Sequence, residues 1–184
     1  MTAPDQSPNP AGATRPGCSV LFICTGNTCR SPLAEALCKR LLADRLGCDP
    51  AELVARGYVV RSAGVAALPG DPAALPAVEV AREYGADLSA HQSRPVNPEL
   101  LADATHVVAV TRGHAAALMM RFPGVGPEPG LLGGPDDDLS DPIGGDLEQY
   151  RACAHAIHGH LDRLLSGWLG RPTENDRPEE RTGQ

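Results

Sequence analysis

SVLFICTGNTCRSPLAEALCKRLLADRL, residues 19–46, decides the fold. Its first six residues, SVLFIC, form a short apolar run with β-branched Val20 and Ile23, as in a strand buried on both faces. From Pro32 the period changes. Leu33, Leu37, Leu41 and Leu42 recur at helical spacing, and the helix is expected over residues 32–46. A polar loop, residues 24–31, joins the two. Ser31 is a residue type that caps a helix and Pro32 one that opens it, so the helix is expected to start there.

The alternation continues outward. Residues 58–62 (YVVRS) read as a strand closed by Ala63 and Gly64, and residues 72–84 as a helix stopped by Gly85. Residues 106–110 (HVVAV) read as a third strand, followed by an Ala-rich helix ending near Arg121. Residues 123–145 are rich in Pro and Gly and acidic. The last helix, residues 145–169, carries Leu147, Tyr150, Ala154, Ile157, Leu161, Leu164 or Leu165, and Trp168 three and four apart, the spacing of a core face. Strands alternating with helices imply a parallel α/β sheet with helices on both faces. Such sheets bind ligands beyond the carboxyl ends of their strands, which directs attention to the loop after Cys24.

Composition narrows the class. The chain has 184 residues, a formal net charge of −7 and only six aromatic side chains, while 42% of it is hydrophobic. An aliphatic core and one domain fit that length. Residues 1–17, with four prolines and no Val, Ile, Leu or aromatic side chain, and residues 171–184 read as disordered tails flanking a domain at 18–170. The acidic balance opposes a broad nucleic-acid surface, and the few aromatics oppose a base-stacking platform. No apolar stretch approaches the ~20 residues that span a bilayer, and no secretory signal is evident, so a cytoplasmic protein with no membrane partner is expected. The six cysteines, at 18, 24, 29, 38, 48 and 153, are then expected to be reduced thiols.

The loop itself, CTGNTCRSP, has the composition of a phosphate cradle. The helix following it turns its N–H groups and the positive end of its dipole toward the loop. Gly26 and Asn27 tolerate left-handed backbone and let successive N–H groups converge on an anion. Arg30 adds a planar cationic fork that matches phosphate oxygens. The same positive field should stabilise a thiolate at Cys24, placed as an in-line nucleophile. A zinc site is disfavoured, because no second ligand cluster follows Cys24 and Cys29.

CTGNTCRSP resembles the C-x5-R-S signature of the low-molecular-weight protein tyrosine phosphatases. The likeness extends over residues 19–169 through Arg61-Ser62-Ala63-Gly64, the LSAHQSR stretch at 88–94, and Asp141-Pro142. It implies a four-stranded parallel sheet of the flavodoxin-like, phosphotyrosine protein phosphatase I type. It also implies a phosphorylated protein as substrate, Cys24 as nucleophile and Arg30 as the clamp on phosphate and transition state. Asp141 would be the general acid and then base, its backbone held extended by Pro142. Thr25, Gly26, Asn27, Thr28, Cys29 and Ser31 complete the loop. Ser31 would hydrogen-bond the thiolate, Asn27 would brace the loop and His91 would bond Asn27. No metal or other cofactor is called for, since Arg30 and backbone amides supply the charge stabilisation. Asp136, Asp137 and Asp138 read as a solvated run, and His155, His158 and His160 as surface histidines.

The family contains tyrosine phosphatases, protein-arginine phosphatases and arsenate reductases. The reductases use further mid-chain cysteines, whereas none lies here between Cys48 and Cys153. Ile143 after Asp141-Pro142, and residues 65–70 after the second strand, place no aromatic wall at the pocket rim. Thr28 resembles the arginine-phosphatase branch. Phosphoarginine is therefore favoured, with phosphotyrosine the alternative. A non-catalytic phosphate-binding regulator is disfavoured by the joint presence of Cys24, Arg30 and Asp141. Cys29, in the same loop, is expected to trap peroxide-oxidised Cys24 as a disulfide. The oligomeric state is left open by the sequence.

Overall fold

Burial on both faces makes residues 18–24 the centre of the sheet. The computed structural model describes residues 17–168. In it β1 (Cys18–Cys24) pairs in parallel with β2 (Tyr58–Gly64) on one side and β3 (His106–Ala109) on the other. A two-residue edge strand, β4 (Gly130–Leu131), pairs in parallel with β3, giving the order β2-β1-β3-β4. The helices are α1 (Arg30–Leu46), α2 (Leu75–Glu83), α3 (Pro98–Asp103), α4 (Arg112–Arg121) and α5 (Leu147–Trp168).

The period of two along β1 divides the interior. Val20, Phe22 and Cys24 face a core shared with α1, α2 and α5, including Leu33, Leu37, Ile157 and Leu161. Leu21 and Ile23 face a smaller core with Leu101 of α3 and Leu118 of α4. Helices thus cover both faces. The chain leaves β1 toward β2 and returns to the opposite side at β3, so the sheet reverses direction at β1. A crevice opens at the carboxyl ends of β1 and β3 for that topological reason. Cys24 ends β1 there.

The buried stripe of α5 is Tyr150, Cys153, Ala154, Ile157, Leu161 and Leu165, with Leu164 partly buried. A capping box starts this helix: Gln149 N donates to Asp146 Oδ1 and Asp146 N to Gln149 Oε1, both at 3.0 Å. The side chain of Trp168 and the stretches expected to be tails lie outside the described residues, apart from exposed Gly17. Among the described residues, no helix is long and apolar enough to cross a membrane.

Several element boundaries differ from the sequence pattern. α2 spans Leu75–Glu83, starting three residues beyond Pro72 because Ala74 is its N-cap. α3 and β4 are not evident from periodicity, being six and two residues long. The start of α3 is nonetheless written in its cap: Asn97 accepts from Leu100 N at 2.8 Å, and Pro98 is the first helical residue. α1 begins at Arg30, not Pro32, with Cys29 at the cap position and no side-chain cap bond. The hydroxyl of Ser31 is thereby left for another partner.

Candidate active site

A short loop between a central strand and a helix can hold an anion only if its backbone is forced inward. Asn27 does this with φ 55°, the single non-glycine residue in left-handed conformation among those described. Gly26, expected to share that conformation, does not have positive φ. Asn27 is fully buried and its side chain is used completely. Nδ2 donates to Ser31 Oγ and to Ser62 Oγ, each at 2.9 Å, and Oδ1 accepts from Arg94 N at 2.9 Å. Its main-chain oxygen lies 2.8 Å from His91 Nε2. Ser62 in turn donates to Glu35 Oε2 at 2.7 Å, joining β2 and α1 behind the loop.

The loop also presses on Gly64, at the end of β2. A Cβ there would lie 2.3 Å from Thr25 O and 3.0 Å from Asn27 N. Both neighbours are backbone, so only glycine admits this approach.

Cys24 is almost fully buried. Its Sγ sits 2.9 Å from Ser31 Oγ, and Asn27 N donates to it at 3.3 Å. Ser31, expected as a helix cap, instead faces the thiol from the first turn of α1, where the dipole of that helix is most positive. Arg30 is 6% exposed. Its Nη1 donates to Leu139 O at 3.1 Å and its Nη2 lies 2.5 Å from Asp141 Oδ2. Asp141 stands exposed on the rim, and its Oδ1 accepts from Ile143 N at 3.2 Å. Leu139 N bonds Val110 O at 3.0 Å, which fastens the Asp141 loop to the end of β3. Residues more than 100 positions apart thus meet at the crevice left by the sheet's reversal.

Other contacts were not legible in the sequence. Cys29 Sγ lies 3.2 Å from the hydroxyl of buried Tyr150, and burial pushes the pKa of that phenol up, keeping it protonated. Thr25 Oγ1 is 2.8 Å from His114 Nε2. Burial, and secondarily the charge of Arg30, lowers the pKa of His114 and favours its neutral form. Burial pushes the thiol of Cys153, beside the Asp141 loop, up to about 12. His114 lies in an ordinary Ala-rich helical stretch. Only its placement three residues after Thr111, a cap residue type, hinted at a fixed position.

Two expectations about charge need correction. His160 is not a surface residue: it is 6% exposed, and its Nε2 lies 3.3 Å from Asp137 Oδ2. Nor are all three consecutive aspartates merely solvated, since Asp138 Oδ1 accepts from Arg112 N at 2.8 Å at the start of α4. Short helix-to-loop contacts of this kind leave no periodic trace in sequence.

Residues 19–174 match the model of the family described as low molecular weight phosphotyrosine protein phosphatase. The protein-arginine-phosphatase of Geobacillus stearothermophilus is 38% identical over 149 residues, 79% of this chain and 92% of that one. A low molecular weight protein-tyrosine-phosphatase of Escherichia coli K12 is 32% identical over 155 residues, 83% and 93% of the two chains. The solved arginine phosphatase from Geobacillus stearothermophilus superposes with a TM-score of 0.72 at 36% identity, covering 83% of this chain and 93% of that one. A solved arginine phosphatase variant carrying a phosphorylated active-site serine superposes with a TM-score of 0.71 at 33% identity, covering 86% and 99%.

Proposed function

The chain belongs to the low molecular weight phosphotyrosine protein phosphatase family, and from that premise we propose that it is a protein-arginine phosphatase working through Cys24, Arg30 and Asp141. The observation that carries the assignment of roles is the convergence of these three side chains. A thiol held by Ser31 and Asn27, a buried guanidinium and a rim carboxylate meet at one crevice. The Cys24 thiolate attacks phosphorus while Arg30 and the loop amides hold the equatorial oxygens. The bond from phosphorus to the leaving nitrogen breaks, and Asp141 gives that nitrogen its proton. Water then attacks the phosphocysteine, Asp141 takes the proton, and phosphate leaves with the Cys24 thiolate restored. The covalent phosphoserine in a structural relative supports attack from this loop position.

Three features favour phosphoarginine. The relatives include a protein-arginine-phosphatase at 38% identity. The rim side chains Leu68 and Ile143 are aliphatic, and they are 70% and 68% exposed. Thr28 adds a hydroxyl to the half-buried wall of the loop, where a planar apolar ring would leave it unmatched. Phosphotyrosine hydrolysis is the alternative within the family, and the Escherichia coli relative keeps it in view. Measuring kcat/KM on phosphoarginyl and phosphotyrosyl peptides, for wild type and Thr28→Ile, separates the two. Preference for phosphoarginine that weakens in Thr28→Ile supports the assignment. Preference for phosphotyrosine in wild type refutes it. A cytoplasmic setting and reduced cysteines remain part of this proposal.

A further inference from the structure

The reaction outlined above leaves His114 without a task. Its ring is 6% exposed and lies between two threonines. Nδ1 is 2.6 Å from Thr111 Oγ1 and Nε2 is 2.8 Å from Thr25 Oγ1. Thr111 is the N-cap of α4, and its Oγ1 also accepts from the backbone N–H of His114 at 3.3 Å. The charged groups facing the ring are Arg30, Asp141 and Asp138. Thr25 follows the proposed nucleophile directly and is exposed at the mouth of the loop.

One tautomer of His114 runs this chain in a single direction, from Thr111 to Thr25. In that tautomer Thr111 Oγ1 accepts the backbone N–H of His114 and gives its own proton to Nδ1. The ring proton then resides on Nε2 and points at Thr25 Oγ1. Thr25 accepts it, which leaves its own proton and remaining lone pair for another partner at an exposed position. Neutral imidazole, favoured by its surroundings, serves here as a strut and neither gives nor takes a proton.

We propose that His114 is a positioning residue that aims the Thr25 hydroxyl at the substrate. There Thr25 accepts a hydrogen bond from a guanidinium N–H and donates one to a phosphoryl oxygen. A phenyl ester offers the phosphoryl oxygen but no N–H, so the contact adds discrimination toward phosphoarginine. This inference rests on the phosphoarginine assignment.

The test is a double-mutant cycle on both peptides. Thr25→Val, at an exposed position that tolerates the change, is expected to lower kcat/KM for phosphoarginine about tenfold, the size of one hydrogen bond to a charged group. The loss on phosphotyrosine is expected to be smaller. His114→Ala should repeat that selective loss, and the double variant should be no worse than Thr25→Val alone. His114→Gln, whose amide nitrogen can reach the place of Nε2, should recover most of the activity; His114→Asn should not. A purely structural role would not distinguish Gln from Asn or one substrate from the other. Losses that multiply in the double variant, or an unchanged Thr25→Val, would overturn the inference. Cys24→Ser, run alongside, tests the catalytic assignment separately: if it is inert while Thr25→Val is unimpaired, the inference alone fails. Wild-type preference for phosphotyrosine would remove the substrate assignment, while the cycle still reads the coupling.

Discussion

Arg30 Nη2 and Asp141 Oδ2 stand 2.5 Å apart, so the cation that closes the phosphate loop is in direct contact with the carboxylate on the rim. A phosphoryl oxygen that docks on Arg30 must replace this contact. In the proposed mechanism Asp141 is then released toward the leaving atom, still tethered through Oδ1 to Ile143 N. Binding of the phosphoryl group and presentation of the acid are thereby coupled. Asp141→Ala is expected to slow poor leaving groups by about 100-fold or more, the usual range of general acid catalysis, and good ones far less. Rates across a series of aryl phosphates check this, and equal losses throughout would remove Asp141 from the acid role.

The support beneath Asn27 bears on stability as well as on the proposed catalysis. Ser62→Ala takes the acceptor from one Asn27 N–H and the donor from Glu35 Oε2. Leaving buried polar groups unpaired costs about 1–3 kcal/mol. Denaturant unfolding should show an unfolding free energy lowered by about 1–3 kcal/mol, read as a lower midpoint at unchanged slope. kcat/KM should fall too, because the left-handed turn at Asn27 loses one of its braces.

Acid should weaken the fold in a defined direction. Burial lowers the pKa of His106, His114 and His160 below the ordinary 6.5, with Asp137 and Arg163 also acting on His160. The unfolded chain therefore takes up protons first as pH drops through 6.5. Stability is full above that value and declines until the folded-state values are passed. Thermal melts from about pH 7.5 down to about pH 5 should show the decline. His160→Gln should flatten it, whereas a melting temperature that rises on acidification would contradict the assignment.

Oxidation is expected to join Cys24 to Cys29. Cys29 is held by Tyr150 at 3.2 Å, so Tyr150→Phe should free it and speed trapping of the oxidised nucleophile. Peptide mass mapping after peroxide reads the outcome. Over-oxidised Cys24 without the disulfide would sink this switch.

What the sequence made legible was whatever repeats or clusters along the chain. The apolar run before Cys24, the leucines of α1 and the stripe of α5 identified the fold class, and CTGNTCRSP with Asp141-Pro142 marked the loop and the carboxylate that the fold brings together. What escaped depends on distance in space. Ser31 reads as a helix cap in sequence, but the helix starts two residues earlier than expected, at Arg30, and the Ser31 hydroxyl turns to Cys24. Gly64 appears as a strand terminator, yet its lack of a Cβ is required by the main chain of Thr25. His114 and Tyr150 meet the loop only because α4 and α5 pack beside it. The edge strand β4 has two residues, too few for any period to register.

The central claim is that Cys24 carries the phosphoryl group during turnover. Rapid quenching of the enzyme with a radiolabelled phosphoarginyl peptide, followed by peptide mapping, tests it most directly. The account predicts a labelled adduct on the peptide containing Cys24, formed at the rate of the first product burst and absent in Cys24→Ala. Label on another residue, or full turnover by Cys24→Ala, would contradict it.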